Sequence, residues 1–366
     1  MSDPMVCWRK SLRTQLTAGI NPITPPAAQK KSFLNPRESS KPEEIKRSQL
    51  PFEVGIETQY FFPYDWPMTS ASLPHDPKWA RANSLFQSKK TDADFALIGV
   101  PAHKASISPT NADQTPDAIR TALARYSTYS TSADVDLTGG SFTDLGNIDS
   151  PDGDEGVKRV SEAVNGLLNK HKLLVALGGD NSITYSVASG LWPDLSKVGL
   201  ITFDAHHDLR DGKSNGSPVW QLIQAGLPGA NIVQIGIADF ANSAEYSARA
   251  KENGVTVISR SKLRTQSIAD AVKKALEIAG NGGREIYVDL DVDVCDRSVV
   301  PACPAAMPGG LSADELRQAA FLVGADKRVR AIDITEIDAS KDSDDQRTVR
   351  LAALLVLEAA AGFATR

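Results

Sequence analysis

From about residue 92, short apolar runs alternate along the chain with segments that read as helices. Runs such as Phe95–Val100 and Val198–Phe203 are almost continuously apolar, which is typical of strands buried on both faces. This alternation predicts a mostly parallel sheet with helices on both sides, in a three-layer α/β/α domain. Further strands are predicted at residues 173–177, 232–237, 286–288 and 329–334, and helices at 156–171, 268–279 and 313–323 and from Pro116.

Residues 1–85 have a different pattern. They contain about half of the 21 prolines and little apolar periodicity, which predicts an irregular extension. The aromatic run at residues 60–66 is too apolar to remain in water, so we expect the extension to dock on this subunit or on a neighbour. The chain is therefore divided into an N-terminal extension (1–85) and a main α/β domain (86–366).

Composition narrows the range of partners. Lys plus Arg number 40 against 45 Asp plus Glu, a net charge of −5, which argues against a nucleic-acid or anionic-membrane partner. The chain has no apolar run near 18 residues and no signal segment, so we expect a soluble cytoplasmic protein. The three cysteines (Cys7, Cys295 and Cys303) lack CxxC spacing and require neither a zinc knuckle nor disulfides.

Four predicted strands end in polar clusters. These clusters are residues 178–182, 204–208, 289–296 and 333–336. Because the carboxyl ends of parallel strands meet at one sheet edge, so many carboxylates would repel one another unless cations compensate them.

The spacing within the clusters favours a metal site. Residues i and i+2 of an extended segment share a face, so Asp204, His206 and Asp208 can point the same way, as can Asp291 and Asp293. Carboxylates with one imidazole and no thiolate suit Mn²⁺, or alternatively Ni²⁺, Co²⁺ or Fe²⁺. Singly, each cluster has an ordinary interpretation, as a solvated strand end or a tight turn. Their recurrence at successive strand ends favours metal binding.

The order and spacing of these clusters resemble the ureohydrolase family, which includes arginase, agmatinase and formiminoglutamase. Members carry a Gly-Gly-Asp-His-Ser turn, an Asp-Ala-His-x-Asp loop, a Ser-x-Asp-x-Asp-x-x-Asp-Pro segment leading to Gly-Gly-Leu, and a late Glu. This chain has counterparts at residues 178–182, 204–208, 289–296, 309–311 and 336. The resemblance covers about three quarters of the chain. It implies an arginase-like fold and a binuclear metal-dependent hydrolase of linear amidines.

By motif, the resemblance also implies the ligands of two divalent ions per chain, Mn²⁺ or alternatively Ni²⁺. Asp204 and Asp291 would bridge both ions, Asp208 would complete one shell, and His206 and Asp293 the other. The implied ligands, with the first-motif residue included, are Asn181, Asp204, His206, Asp208, Asp291 and Asp293.

The implied reaction is attack of a metal-bridging hydroxide on the amidine or guanidine carbon. Asp208 is the candidate proton carrier, and His206 is a further candidate catalytic residue. Glu336 resembles the acid that grips the cationic amidine nitrogens of the substrate.

The chain departs from the family pattern at four positions. Asn181 replaces a metal-ligating His, and because a neutral amide oxygen is a weaker donor, we expect one ion to be held more loosely. Asn215 replaces a second His, usually near substrate, while Asp289 replaces a Ser and Arg297 a Pro. With the core carboxylates intact, these changes indicate a divergent subgroup with an altered substrate.

The candidate substrate-binding residues are Asn215, Glu336, His103 and Trp220. His103 follows the first strand and is either a substrate contact or an ordinary loop residue. Trp220 either walls the pocket or packs against the extension. His207 should point away from its neighbouring ligand on an extended segment, which favours a packing role.

The expected substrate is a small cationic amidine or guanidine. The candidates are formiminoglutamate, free guanidine, and an alkylated guanidine or biguanide such as metformin. Formiminoglutamate would need an Arg or Lys for its carboxylate. Arg210, Lys213 and Arg297 lie near the motifs, but the sequence does not place them.

Family members are commonly trimers or hexamers, so we expect a homo-oligomer. The alternative function is a catalytically degenerate subunit that scaffolds an active homologue in a hetero-oligomer, which the two His replacements would fit. A related metal-dependent deacetylase is disfavoured because the motifs fit ureohydrolases more closely.

Overall fold

The computed structural model describes residues 76–88 and 90–366. The aromatic run at residues 60–66 and most of the predicted extension lie outside the described residues, so the boundary near residue 85 stays a prediction. Among the described helices, none combines the length and apolar character needed to cross a bilayer.

Ten strands occur in the described part of the chain, eight of them in one sheet. They are β1 (Phe95–Val100), β2 (Tyr129–Ser130), β3 (Val135–Asp136), β4 (Phe142–Asn147), β5 (Leu173–Gly178), β6 (Val198–Phe203), β7 (Ile232–Ile235), β8 (Thr256–Ile258), β9 (Glu285–Asp291) and β10 (Val329–Thr335). Neighbouring strands of the eight-stranded sheet pair in parallel, and their order is β4-β1-β5-β10-β9-β6-β7-β8. β2 and β3 form a separate antiparallel pair.

Helices cover both faces of this sheet, as the continuous apolar runs predict. Alternate residues of β1 enter different cores: Phe95 and Leu97 pack on one side, Ala96 and Ile98 on the other. The helices are α1 (Thr115–Leu123), α2 (Gly153–Val164), α3 (Ile183–Leu191), α4 (Pro218–Gln224), α5 (Ala244–Glu252), α6 (Ile268–Ala279), α7 (Ala313–Ala325) and α8 (Arg347–Ala364). The first core includes residues of α1, α6, α7 and α8, and the second includes residues of α2 to α5. The predicted three-layer α/β/α fold is confirmed.

Local chemistry explains where several helices begin and end. Ser312 and Glu315 form a capping box at the start of α7, and Ser267 caps α6. The helix predicted over 156–171 is shorter and begins earlier in the structure, where α2 runs from Gly153 to Val164. It stops there because Gly166 takes a left-handed conformation (φ 77°), which redirects the chain into a short 3₁₀ turn.

The loops that follow β5 and β1 cross each other at the carboxyl edge of the sheet, where the polar clusters lie. Gly179 follows β5 and lies directly against the backbone of Ala102, which follows β1. A Cβ atom at this glycine would lie 1.9 Å from the Ala102 carbonyl oxygen. Glycine is therefore required where β5 ends, and it places Asp180 and Asn181 beside the end of β10.

Candidate metal and substrate site

Four adjacent strands deliver the predicted site residues to one sheet edge. Asp204 directly follows β6, and Asp291 is the last residue of β9. Glu336 directly follows β10, and Asn181 lies between β5 and α3. Because β5, β10, β9 and β6 are neighbours in the sheet, their carboxyl ends bring these side chains together.

Asp204, His206 and Asp293 form the centre of the site. One ligand atom from each lies within 4.8 Å of the other two. His206 Nδ1 lies 2.7 Å from Asp293 Oδ2, and the amide of His206 donates to Asp204 Oδ1 at 2.6 Å. Asp291 Oδ1 accepts from the amide of Asp293 at 2.8 Å. These i, i+2 contacts are tight turns rather than the extended segments that the sequence analysis assumed, and Asp293 itself lies in a 3₁₀ turn (Val292–Val294).

Asp208 and Asn181 close one side of this centre. Asn181 Nδ2 donates to Asp208 Oδ2 at 2.6 Å, and both side chains are buried. Asp208 has φ 54°, in the left-handed region that non-glycine residues rarely occupy. Such a conformation costs about 1–3 kcal/mol, so the surrounding contacts hold this carboxylate in place against backbone strain.

The crowding of acids changes their proton affinities. Burial and the nearby Asp208 carboxylate raise the pKa of Asp204 well above its ordinary value. Burial raises the pKa of Asp208 to about 7. Burial alone would lower the pKa of His206, but the Asp293 carboxylate outweighs it and raises that pKa to about 10. In the absence of a cation, these groups therefore favour protonated forms.

The donor set fits divalent cations. Asp204 Oδ2 is buried and has no hydrogen-bond partner, which is costly for a carboxylate oxygen unless a cation meets it. Carboxylates, one imidazole and an amide form an oxygen-rich set that suits Mn²⁺ better than thiolate-bound zinc. Bound cations would also reverse the pKa shifts, because they favour ionised carboxylates.

Glu336 lies opposite the metal-ligand candidates and is held by two amides. Its Oε1 accepts from the backbone N–H of Asn181 and from Asn215 Nδ2, each at 2.8 Å. Asn215 Oδ1 in turn accepts from the amide of Ile107 at 3.0 Å, so the loop after β1 is tied to the same group. Glu336 has φ 65°, and burial raises its pKa to about 8.

A cavity of about 290 Å³ opens onto this centre. Of the predicted site residues, those lining it are His206, Asp208, Asn215, Asp291, Asp293 and Glu336. Asp204 and Asn181 are buried immediately behind this lining. The structure therefore brings together all the predicted metal ligands.

His103 and Trp220 do not line this cavity. His103 lies beside Asp152, with its Nδ1 3.4 Å from the carboxylate. Trp220 lies in a separate surface depression with Lys213, and its ring stacks on the Arg249 guanidinium at 4.4 Å. The structure thus gives no basis for the predicted substrate contacts of either residue, and Trp220 packs within this part of the chain.

Comparison with known proteins identifies the relatives of this fold and site. The profile described as the arginase family matches residues 93–362. The chain belongs to the arginase family. It is 37% identical over 272 residues to a formimidoylglutamase from Halalkalibacterium halodurans, covering 72% of this chain and 85% of the relative.

Solved structures of arginase-family proteins have the same fold as this chain. The crystal structure of formimidoylglutamase from Bacillus subtilis has a TM-score of 0.75 at 32% identity and covers 82% of this chain and 97% of its own. Trypanosoma cruzi formiminoglutamase with Mn²⁺₂ has a TM-score of 0.71 at 25% identity, covering 79% and 99%. The predicted class, a binuclear metal-dependent amidinohydrolase, is confirmed.

Sequence reasoning missed one wall of the cavity in this arginase-family chain. Asn242, Ser243 and Tyr246 line it and follow β7. A signal was available, because β7 was predicted and its carboxyl end lies at the same sheet edge. His207 also lines the cavity, and its Nδ1 lies 2.7 Å from Gln234 Oε1.

Below the metal-ligand candidates lies a second polar group, enclosed within the sheet. Asp289 and Asp333 are register partners on β9 and β10, and both are fully buried. Asp333 Oδ2 accepts from Tyr287 Oη at 2.7 Å and lies 2.8 Å from Thr184 Oγ1. Burial raises the pKa of Asp333 to about 6 and that of Asp289 well above its ordinary value, so the pair retains a proton at neutral pH.

Proposed function

We propose that this arginase-family chain hydrolyses formiminoglutamate, an amidine attached to a dicarboxylic acid, and that Mn²⁺ is its preferred metal. The choice of this substrate rests on Arg210. Among the described residues that line the cavity, it is the one lysine or arginine. A substrate with a cationic amidine at one end and carboxylates at the other needs an anionic group and a cationic group in the same pocket.

The position of Arg210 suits a carboxylate contact. Its stem lies against Gly216, where a Cβ atom would come within 2.8 Å of the Arg210 Cδ. The amide of Arg210 donates to the Gly216 carbonyl at 3.0 Å, so both ends of this short loop are fixed. The guanidinium makes no hydrogen bond or ion pair with another described residue, and its donors are available to a ligand.

The other two cations near the motifs are engaged elsewhere. Lys213 Nζ donates to Asp154 Oδ1 at 2.6 Å, outside the cavity. Arg297 donates to the carbonyl groups of Cys303 and Pro304. These contacts leave Arg210 as the candidate that favours formiminoglutamate over free guanidine or metformin, because neither of those cations carries a carboxylate.

Glu336 is the proposed partner of the amidine. Its Oε1 already accepts two N–H groups, which leaves Oε2 for a cationic nitrogen of the substrate. Asn215 holds the carboxylate toward the cavity, and Asp208 is the proposed proton carrier to the leaving nitrogen. When bound, two divalent ions lower the pKa of water and so supply a nucleophile at neutral pH. The proposed ligands are those predicted from the motifs.

The direct test compares substrates on protein loaded with Mn²⁺ and, separately, with Ni²⁺. Release of formamide from formiminoglutamate is measured beside release of urea or ammonia from agmatine, guanidine and metformin. We expect formiminoglutamate to be hydrolysed with the highest kcat/KM, and Mn²⁺ to support the higher rate. Faster hydrolysis of a carboxylate-free guanidine would contradict the proposal.

Arg210→Met tests the proposed contact between the Arg210 guanidinium and a carboxylate of the substrate. A charge-assisted hydrogen bond contributes about 1.5–3 kcal/mol, so kcat/KM for formiminoglutamate should fall about 10- to 100-fold. Lys213→Met is the matched control, because it removes a nearby cation that lies outside the cavity. Equal losses in both variants would assign the effect to general charge rather than to substrate binding.

The oligomeric state and the scaffold alternative stay predictions. Sedimentation of the purified chain would distinguish a homotrimer or homohexamer from a monomer that awaits a homologous partner. Metal-loaded protein that is inactive alone and active only with such a partner would favour the scaffold function.

A further inference from the structure

Asn181 occupies the position of a metal-ligating His, and its amide has two distinguishable orientations. In the described orientation, Nδ2 donates to Asp208 and Oδ1 faces two buried hydroxyls, Thr184 Oγ1 and Thr335 Oγ1, each at 2.9 Å. Only Oδ1 can bind a cation, and in this orientation it faces away from Asp208. An amide oxygen and an NH₂ group are nearly equal in size, so the hydrogen-bond partners decide the orientation.

Thr184 has one proton and two acceptors. Its Oγ1 lies 2.9 Å from Asn181 Oδ1 and 2.8 Å from Asp333 Oδ2. A hydroxyl donates a single hydrogen bond, and an acidic carboxyl oxygen that also accepts from Tyr287 is the stronger acceptor. Thr184 therefore gives its proton to Asp333 and presents a lone pair to Asn181.

A lone pair at 2.9 Å favours an N–H group over a carbonyl oxygen. With the amide turned by 180°, the two hydrogens of Nδ2 would reach Thr184 and Thr335. Thr335 serves either orientation, because its hydroxyl both donates and accepts. The turned amide places Oδ1 about where Nδ2 now contacts Asp208, at 2.6 Å. Two oxygens so close repel each other unless a cation lies between them.

We propose that Thr184, with its proton committed to Asp333, is a positioning residue that stabilises the metal-ligating orientation of the Asn181 amide. Without metal, the Asp208 carboxylate holds the NH₂ group. With metal, the amide turns, Oδ1 and Asp208 share the cation, and Nδ2 donates to the two threonines. This inference rests on the metal centre of the proposed function, and the residue it adds, Thr184, lies outside the proposed ligand set.

The test is calorimetric titration of Mn²⁺ into metal-stripped protein, with elemental analysis for stoichiometry. Thr184→Val is nearly isosteric and removes the lone pair, so affinity for one of the two ions should fall about ten-fold. Thr184→Ser keeps the hydroxyl and should restore it. Thr335→Val is the matched control, with a smaller expected loss because that hydroxyl does not select an orientation. Thermal melting of each metal-free variant checks that it folds.

Asn181→Asp separates orientation from general packing. A carboxylate has an oxygen on both sides, so orientation no longer matters, and Thr184→Val in this background should change affinity less than two-fold. A ten-fold loss that persists in the double variant would overturn the proposal, as would normal affinity in Thr184→Val alone. A wild-type chain that binds no ion would overturn the metal centre as well.

Discussion

Two groups of buried acids share strand β9, yet they differ in what can neutralise them. The outer carboxylates are Asp204, Asp208, Asp291 and Asp293, where β6 and β9 end. The inner pair is Asp289 and Asp333, in the sheet itself. Asp289 and Asp291 are two residues apart on β9 and therefore share a face of the sheet.

The difference between the two groups lies in access. The inner pair is enclosed, receives the Tyr287 hydroxyl, and needs only a shared proton to remove most of its repulsion. Three of the outer carboxylates, Asp208, Asp291 and Asp293, line the cavity, where a cation can reach them. Unpaired oxygens do not separate the groups, because buried carboxylate oxygens without a hydrogen-bond partner occur in both. Burial of an acid therefore does not by itself indicate a metal ligand, whereas burial of several acids beside a cavity does.

The largest expected effect is that of Asp204→Asn, which breaks the outer group. An amide cannot bridge two cations as a carboxylate does, so both ions should be lost and hydrolysis should fall to background. Elemental analysis of protein prepared with excess Mn²⁺ measures the first effect directly. Two ions per chain in this variant would refute the bridging assignment.

The pH dependence of stability should differ between the metal-free and metal-loaded chains. In the folded, metal-free chain the pKa of Asp208 is raised to about 7 and that of Glu336 to about 8. A carboxyl group with a raised folded-state pKa contributes stability that is fully present below its unfolded-state pKa, about 4, and is lost progressively as pH rises from there to the folded-state value. The raised pKa of His206, about 10, acts in the same direction at higher pH.

The melting temperature of metal-free protein should therefore fall progressively between about pH 4 and about pH 10. With saturating Mn²⁺ this fall should be much smaller, because the cation favours ionised carboxylates. Differential scanning calorimetry across this range, with and without Mn²⁺, provides the measurement. A parallel fall in both samples would place the titrating groups outside the site.

The fold was predictable from the sequence because its central strands are apolar throughout. The outer group was predictable with it, because these carboxylates lie where two of the predicted strands end. Strands buried on both faces, such as β1 and β6, give continuous apolar runs, and their predicted bounds match the structure. The strands at the two edges of the sheet, β4 and β8, were not identified. β4 is buried at only one end and β8 has three residues, so neither has the continuous apolar pattern of a central strand.

The substrate side of the site was less predictable, because spacing along the chain does not decide which side chains reach a cavity. Arg210 and Lys213 are three residues apart, but one lines the cavity and the other pairs with Asp154 on α2. The loop is closed by the hydrogen bond between the Arg210 amide and the Gly216 carbonyl, and it is held in place by the Asn215 amide, which donates to the Ala105 carbonyl. The second of these is a tertiary contact that no local pattern encodes.

A smaller effect is expected from Asn181→His. Imidazole is a stronger donor than an amide oxygen for transition metals, so one of the two ions should bind about ten-fold more tightly, a change of ~1.4 kcal/mol. Calorimetric titration should show this change at one site only. Unchanged affinity at both sites would mean that residue 181 does not face the metals.

The smallest expected effect is that of Asp289→Asn, the same chemical change as Asp204→Asn made two residues from Asp291. The new NH₂ group would donate to Asp333 in place of the shared proton, so two ions should still bind with near-normal affinity. Stability should be equal or slightly higher above neutral pH, because one buried acid is gone. Loss of metal here, as large as that from Asp204→Asn, would mean that the two groups form a single electrostatic unit. Retention of both ions would show that the outer group binds its cations independently of the charge of the inner pair.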